Sequence, residues 1–146
     1  MKGGVACAVR LHINHTPISL SNECENVAVL IPEYDCVIIC AYRSPNYAIA
    51  MFAKHIKCML DQPIVKSVTN IVIAGDFNED LLQNRHWPIF SFLLENGFKQ
   101  LVNDSTTSGG TLLDVIYFRG NMNVNAGVLQ SYYSYHEPTF VICNPI

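Results

Sequence analysis

One alternating apolar stretch, several continuous β-rich apolar runs and two stretches of helical period predict a sheet-rich α/β domain. From Val5 to Ile13 the apolar residues Val5, Cys7, Val9, Leu11 and Ile13 alternate with positions that include Arg10 and His12, the pattern of a half-buried strand. Two β-rich runs follow, Glu25 to Pro32 and Tyr34 to Arg43, close enough together to predict an antiparallel hairpin. Pro45 stops the second run, so Tyr42, Arg43 and Asn46 emerge together at its end. Asn46 to Gln62 reads as a helix: Asn46 is its N-cap, Ile49, Phe52, Ala53, Ile56 and Leu60 repeat on one face, and Pro63 ends it. After a compact apolar strand from Asn70 to Ala74, His86 to Asn96 predicts a second helix, with Pro88 in its first turn and Gly97 just beyond its end. Phe98 to Val102, Leu112 to Phe118, Val124 to Gln130 and Thr139 to Cys143 supply the remaining strands, and Asn103 to Gly110 is a polar loop.

Composition narrows this picture to one folded domain. The chain has 146 residues, half of them apolar and 14% charged, which excludes a disordered segment and allows a sizeable core. A net charge of -3 gives no overall attraction to nucleic acid, so such binding needs a local patch, for which Arg43, Arg85 and Arg119 are the candidates. The six cysteines form no C-x-x-C pair and mostly lie in apolar runs, so they read as buried, reduced thiols of an intracellular protein. His12 and His15 match no tetrahedral zinc spacing. The amino terminus has no sustained apolar region, and no apolar run approaches the ~18 residues of a membrane span. The expectation is a protein of nucleus or cytoplasm, neither secreted nor in the membrane.

The chemistry concentrates in Asn70 to Asp80. Ile71, Val72 and Ile73 suit a buried strand, Gly75 permits a sharp turn, and Asp76 and Asn78 fall on the exit loop, where α/β proteins usually bind ligands. A carboxylate there can hold Mg²⁺ or orient water, and a carboxamide can donate to a phosphoryl oxygen. The same residues also suit an Asx-type turn that satisfies only its own backbone.

Gly75-Asp76-Phe77-Asn78 resembles the core motif of the endonuclease/exonuclease/phosphatase superfamily, the Mg²⁺-dependent phosphodiesterases related to DNase I. Four further segments follow that family's order. Lys2-Gly3-Gly4-Val5 resembles its glycine-opened strand, Tyr42-Arg43-Ser44-Pro45 its tyrosine-arginine-proline turn, Thr111 to Tyr117 the strand carrying a histidine-orienting aspartate, and Ser134-Tyr135-His136-Glu137-Pro138 its terminal serine-aspartate-histidine motif. The wording GDFNEDLL, NGFKQLV, TTSGGTLLD and YYSYHEP is most similar to endonuclease domains of mobile elements, those fused to Helitron-type helicases or of the LINE type.

The resemblance implies a two-sheet α-β-β-α sandwich that uses Mg²⁺ or Mn²⁺ and acts on nucleic acid. It assigns Asp76 to the attacking water, Asn78 to the phosphate, His136, oriented by Asp114, to the phosphoryl group, and Tyr42, Arg43 and Asn46 to further substrate contacts. Two departures follow from it. The family's metal-binding asparagine and glutamate lie on strands before the point where this chain starts, so the domain is expected to be incomplete at its amino terminus and inactive by itself. Tyr135 stands where the family has aspartate, which removes a charge and places a bulky ring beside His136. A phosphatase of inositol phosphates or lipid headgroups shares the core motif, and a non-catalytic remnant or binding module is the alternative from another class.

Overall fold

The computed structural model describes residues 4–144. Its strands are β1 (Thr16–Ile18), β2 (Glu25–Ile31), β3 (Cys36–Tyr42), β4 (Asn70–Asp76), β5 (Lys99–Gln100), β6 (Asp114–Arg119), β7 (Asn123–Val128) and β8 (Thr139–Asn144), and its helices are α1 (Ile49–Leu60), α2 (Pro63–Lys66) and α3 (Pro88–Glu95). Six strands form one sheet in the order β1-β2-β3-β4-β6-β5, and β7 and β8 form a separate two-stranded sheet. The β2–β3 hairpin is antiparallel, with Val29 opposite Ile38, and turns through a short 3₁₀ segment at Pro32–Tyr34. β3 and β4 run parallel, with α1 and α2 in the connection between them.

Strand alternation divides the large sheet into two apolar faces. Val37, Ile39, Ala41, Ile71, Ile73, Val115 and Tyr117 are all buried to 1% exposure or less, and the ring of Tyr117 lies 6.5 Å from that of Phe90 on α3. On α1, Phe52, His55, Ile56, Met59 and Leu60 are buried at helical spacing. Each fully buried aliphatic or aromatic side chain of this layer contributes about 1.5–3 kcal/mol relative to exposure. Cys36, Ile38, Val72, Ala74 and Ile116 face the other way, toward Phe140, Val141 and Cys143, and together they line a cavity of about 410 Å³. One face is therefore covered by helices and the other in part by β7–β8, the architecture of an α/β sandwich with an incomplete second sheet.

Several expectations are corrected. Residues 5–13 form no strand, and Leu11 is fully exposed; strand β1 lies further on, at Thr16–Ile18. Alternation specifies which face would be buried, but a strand also needs a neighbour for its backbone groups. Lys2 and Gly3 of the glycine-opened segment lie outside the described residues. Helix α1 begins after Ala48, so Asn46 is not its N-cap; Tyr47 N–H instead donates to the Ser44 carbonyl in a preceding turn at 2.9 Å. The strand predicted over Phe98 to Val102 is reduced to Lys99–Gln100. All six cysteines are free, but Cys7 and Cys58 are exposed rather than buried. No helix among the described residues is long and apolar enough to cross a membrane.

Candidate functional site

The strand ends place the polar residues. Because β3 and β4 are parallel, Tyr42, Arg43 and Asp76 leave the sheet at one end, where Arg43 N–H donates to the Asp76 carbonyl at 3.0 Å. Gly75 permits this approach: a Cβ there would lie 1.8 Å from the Ala41 carbonyl oxygen, and its φ of 151° disfavours a side chain. β6 is antiparallel to β4, and Asp114 is the direct register partner of Asp76. Two like charges opposed in this way repel and favour a cation or a shared proton between them.

His136 completes the cluster. Its Nδ1 lies 2.8 Å from Asp114 Oδ2 and its Nε2 lies 4.0 Å from Asp76 Oδ2. Facing a carboxylate, Nδ1 carries the proton, which leaves Nε2 as the base or, in the imidazolium, as a second donor toward Asp76. The loop bearing His136 is fastened across the Thr107–His136 bridge. Ser108 N–H donates to the Tyr135 carbonyl at 2.9 Å and Glu137 N–H to the Thr106 carbonyl at 2.8 Å. Glu137 in turn accepts from Ser131 N–H through its carboxylate.

Burial and neighbours set the electrostatics of Asp76. Desolvation pushes its carboxyl above the ordinary range and Asp114 adds to the rise, while the Asn78 N–H, His136 and Arg43 oppose it. The Asn78 N–H donates to Asp76 Oδ1 at 2.9 Å, which turns the chain tightly after the strand, and Asn78 sits at φ 50°, a conformation asparagine tolerates. The Asn78 side-chain amide donates to the Arg43 carbonyl at 2.8 Å, which uses one of its two N–H groups and leaves one for a ligand.

Arg43 differs from its assigned role. It is buried, and its guanidinium donates at 2.7 Å to the carbonyls of Phe77, Tyr47 and Asn78. It therefore holds the loop in shape, with three of its five donors committed to the main chain. Tyr42 is half-buried beside it, and Asn46 is exposed on the turn before α1, with no hydrogen bond of its side chain among the described residues. Of the basic candidates Arg43 is buried, and Arg85 lies with Lys99 at a pocket beside α3. Arg119 stacks on Phe98 at 4.8 Å and sits opposite Ile71, at the end of the sheet remote from Asp76.

Tyr135 leaves His136 on Asp114. The two rings meet edge to face at 5.5 Å, and the tyrosine hydroxyl lies against Gly109, where a Cβ would approach it to 2.6 Å. Two residues that motif reading missed hold the site from below. Thr106 Oγ1 accepts from the N–H groups of Leu113 and Asp114, each at 3.0 Å, and Asp80 Oδ1 accepts from Leu112 N–H at 3.0 Å. Their signal in the sequence is only that short polar residues occupy two loops, which does not say that the loops meet.

Asp76, Asp114 and His136 each place one ligand atom within 4.8 Å of the others. Two carboxylates fit a hard divalent cation that keeps several waters and takes further oxygens from a phosphate. His136 already uses Nδ1 on Asp114, so the hard-donor part of this set consists of Asp76 and Asp114.

No family model matches the chain, and no curated protein matches its sequence. Solved structures do. The endonuclease domain of TRAS1, a telomere-specific non-LTR retrotransposon, aligns with 91% of this chain and 67% of its own, at TM-score 0.67 and 15% identity. Cytolethal distending toxin from Actinobacillus actinomycetemcomitans aligns with 93% of this chain and 60% of its own, at TM-score 0.62 and 12% identity. The inositol polyphosphate 5-phosphatase domain of a synaptojanin, in complex with inositol (1,4)-bisphosphate and calcium ion, aligns with 89% of this chain and 55% of its own, at TM-score 0.53 and 15% identity. The chain thus spans between 55% and 67% of the length of these structures, and at such identities the likeness is one of fold.

Proposed function

We propose, for a chain that has the DNase I-like fold of endonucleases, exonucleases and phosphatases, that the Asp76–Asp114–His136 cluster hydrolyses phosphodiesters of nucleic acid. The observation that carries this reading is the opposed Asp76–Asp114 pair with His136 held against it, Nε2 4.0 Å from Asp76. That gap suits a water or a phosphoryl oxygen between the imidazole and the Asp76 carboxylate.

In this reaction the attacking water loses its proton to Asp76 as its oxygen bonds to phosphorus. The leaving alkoxide departs with the cleaved P–O bond and takes a proton from solvent. His136, held by Asp114 through Nδ1, acts as the imidazolium, whose Nε2–H donates to the phosphoryl oxygens as charge develops on them, and the remaining N–H of Asn78 donates to one of them. Asp76 and Asp114 would hold a divalent cation, which supplies charge neutralisation at the phosphate. With two carboxylates the metal site is thin, so we infer weak metal binding and low turnover for this chain alone.

The test is nicking of supercoiled plasmid with Mg²⁺ or Mn²⁺, with inositol phosphates assayed in parallel. Slow metal-dependent nicking that falls at least ~100-fold in Asp76→Asn supports the reading. Phosphate release from inositol phosphates without nicking would favour the phosphatase alternative. Binding of DNA without hydrolysis of either substrate, under saturating metal, would leave a binding module.

A further inference from the structure

Beside the reactive loop lies a second cavity of about 310 Å³, whose walls include Asn22, Glu25, Tyr42, Ser44 and Tyr47. That volume is at the lower end for small-ligand pockets, enough for one ring and its substituents. Tyr42 joins it to the site already described, since the next residue, Arg43, is bonded to the Asp76 and Asn78 carbonyls.

The opposite wall is held by a buried histidine. His55 on α1 is 3% exposed; its Nδ1 lies 3.1 Å from Glu23 Oε2 and its Nε2 lies 2.7 Å from the Tyr47 hydroxyl. The glutamate fixes the proton on Nδ1, so Nε2 accepts the Tyr47 hydroxyl proton in preference to the Glu23 carbonyl at 3.4 Å. The tyrosine oxygen then has only lone pairs left for other partners. The Glu25 carboxylate, exposed to solvent, is likewise an acceptor and takes no hydrogen bond from another side chain among the described residues. Two aromatic side chains, with the Glu23 and Glu25 carboxylates outweighing the donors that Asn22 and Ser44 offer, suit a flat ring that brings hydrogen-bond donors, and they disfavour a phosphate. The backbone of Tyr47 is also fixed, because its carbonyl accepts from Arg43 at 2.7 Å.

From this geometry we infer that the cavity is a nucleobase subsite next to the scissile phosphate and selects bases that carry an exocyclic amine. The inference rests on the phosphodiesterase reading and deepens it. Adenine and cytosine bring an amine, whereas thymine presents a carbonyl and a methyl group at the corresponding edge. Tyr47 is the specificity-determining wall, and His55 with Glu23 is its positioning pair.

The experiment measures binding of short single-stranded homopolymers of adenine, cytosine or thymine by fluorescence anisotropy, with amide shifts read at Tyr42, Ser44 and Tyr47. Adenine and cytosine strands should bind about fivefold more tightly than thymine, the effect of one net hydrogen bond. Tyr47→Phe and Glu25→Gln should reduce that preference while keeping the fold by circular dichroism, and Tyr47→Ala should abolish it. Equal binding of the three strands, or a preference unchanged in Tyr47→Phe and Glu25→Gln, overturns the subsite. A base preference without plasmid nicking sustains the subsite and defeats the hydrolytic reading; nicking without a base preference does the reverse.

Discussion

Glu79 sits in an environment that opposes its charge. It is 3% exposed, its Oε1 has no hydrogen-bond partner among the described residues, and burial pushes its carboxyl to about 7 even though Arg43 pulls it down. The folded state thus keeps a proton that the unfolded chain releases near its ordinary pKa of 4.5, so stability falls as pH rises between 4.5 and about 7 and is level above that. Glu79→Gln should remove this slope and stabilise the protein by up to about 3 kcal/mol near neutral pH, as read from urea denaturation on either side of the window. Tyr135 bears on the proposed metal site instead. Tyr135→Asp should strengthen Mg²⁺ binding several-fold in calorimetric titration, because it adds a carboxylate beside two existing ones; unchanged affinity would mean that the loop aims the new side chain away. The sequence made Asp76, Asn78, Asp114 and His136 legible because their spacing from strand ends and their order form motifs. The destination of the Arg43 guanidinium was not legible. A residue type states which donors exist, and only the folded loop shows that the carbonyls of Phe77, Tyr47 and Asn78 take three of the five.

At the scale of elements, the closest constraint is where β4 passes β3. Gly75→Ala should destabilise the fold by more than about 3 kcal/mol or prevent folding, since the new methyl group would meet the Ala41 backbone and not a side chain that can move. Thermal denaturation checks this, and a variant within about 1 kcal/mol of wild type would show that the strands can separate at that point. Elements with both a period and a stop signal were legible: β2, β3 and β4 from their apolar runs, and α1 and α3 from helical spacing bounded by Pro63 and by Pro88 and Gly97. Residues 5–13 had the period but lacked a partner strand, which periodicity cannot supply. The Leu112 to Phe118 run became β6 from Asp114 onward, because Leu112 and Leu113 give their N–H groups to Asp80 and Thr106 instead of to a ladder.

For the whole molecule, the decisive surface is the face of the large sheet that β7–β8 only partly covers. A two-stranded sheet is marginal without a packed partner, and here it leaves an apolar cavity of about 410 Å³ against the larger sheet. The protein should therefore bind a hydrophobic dye in its native state and associate as concentration rises. Dye fluorescence and light scattering decide the matter: a monomeric, dye-free protein with one cooperative thermal transition would mean that β7–β8 seals the face. The two-layer sandwich was legible through the family resemblance; how far the second layer closes was not, because it depends on how few strands stand opposite the large sheet.

Arg43 has a final consequence, for how a polyanion would reach this site. Its charge is buried, and no carboxylate lies within 4.0 Å of it among the described residues. A charge so placed is screened far less by dissolved ions than one at the surface. The chain as a whole carries a net charge of -3. A nucleic acid approaching from a distance would meet weak repulsion, and at the loop the Arg43 charge stands beside the Asp76 carboxylate and offsets part of it. Encounter would then be unsteered by the chain's own charge.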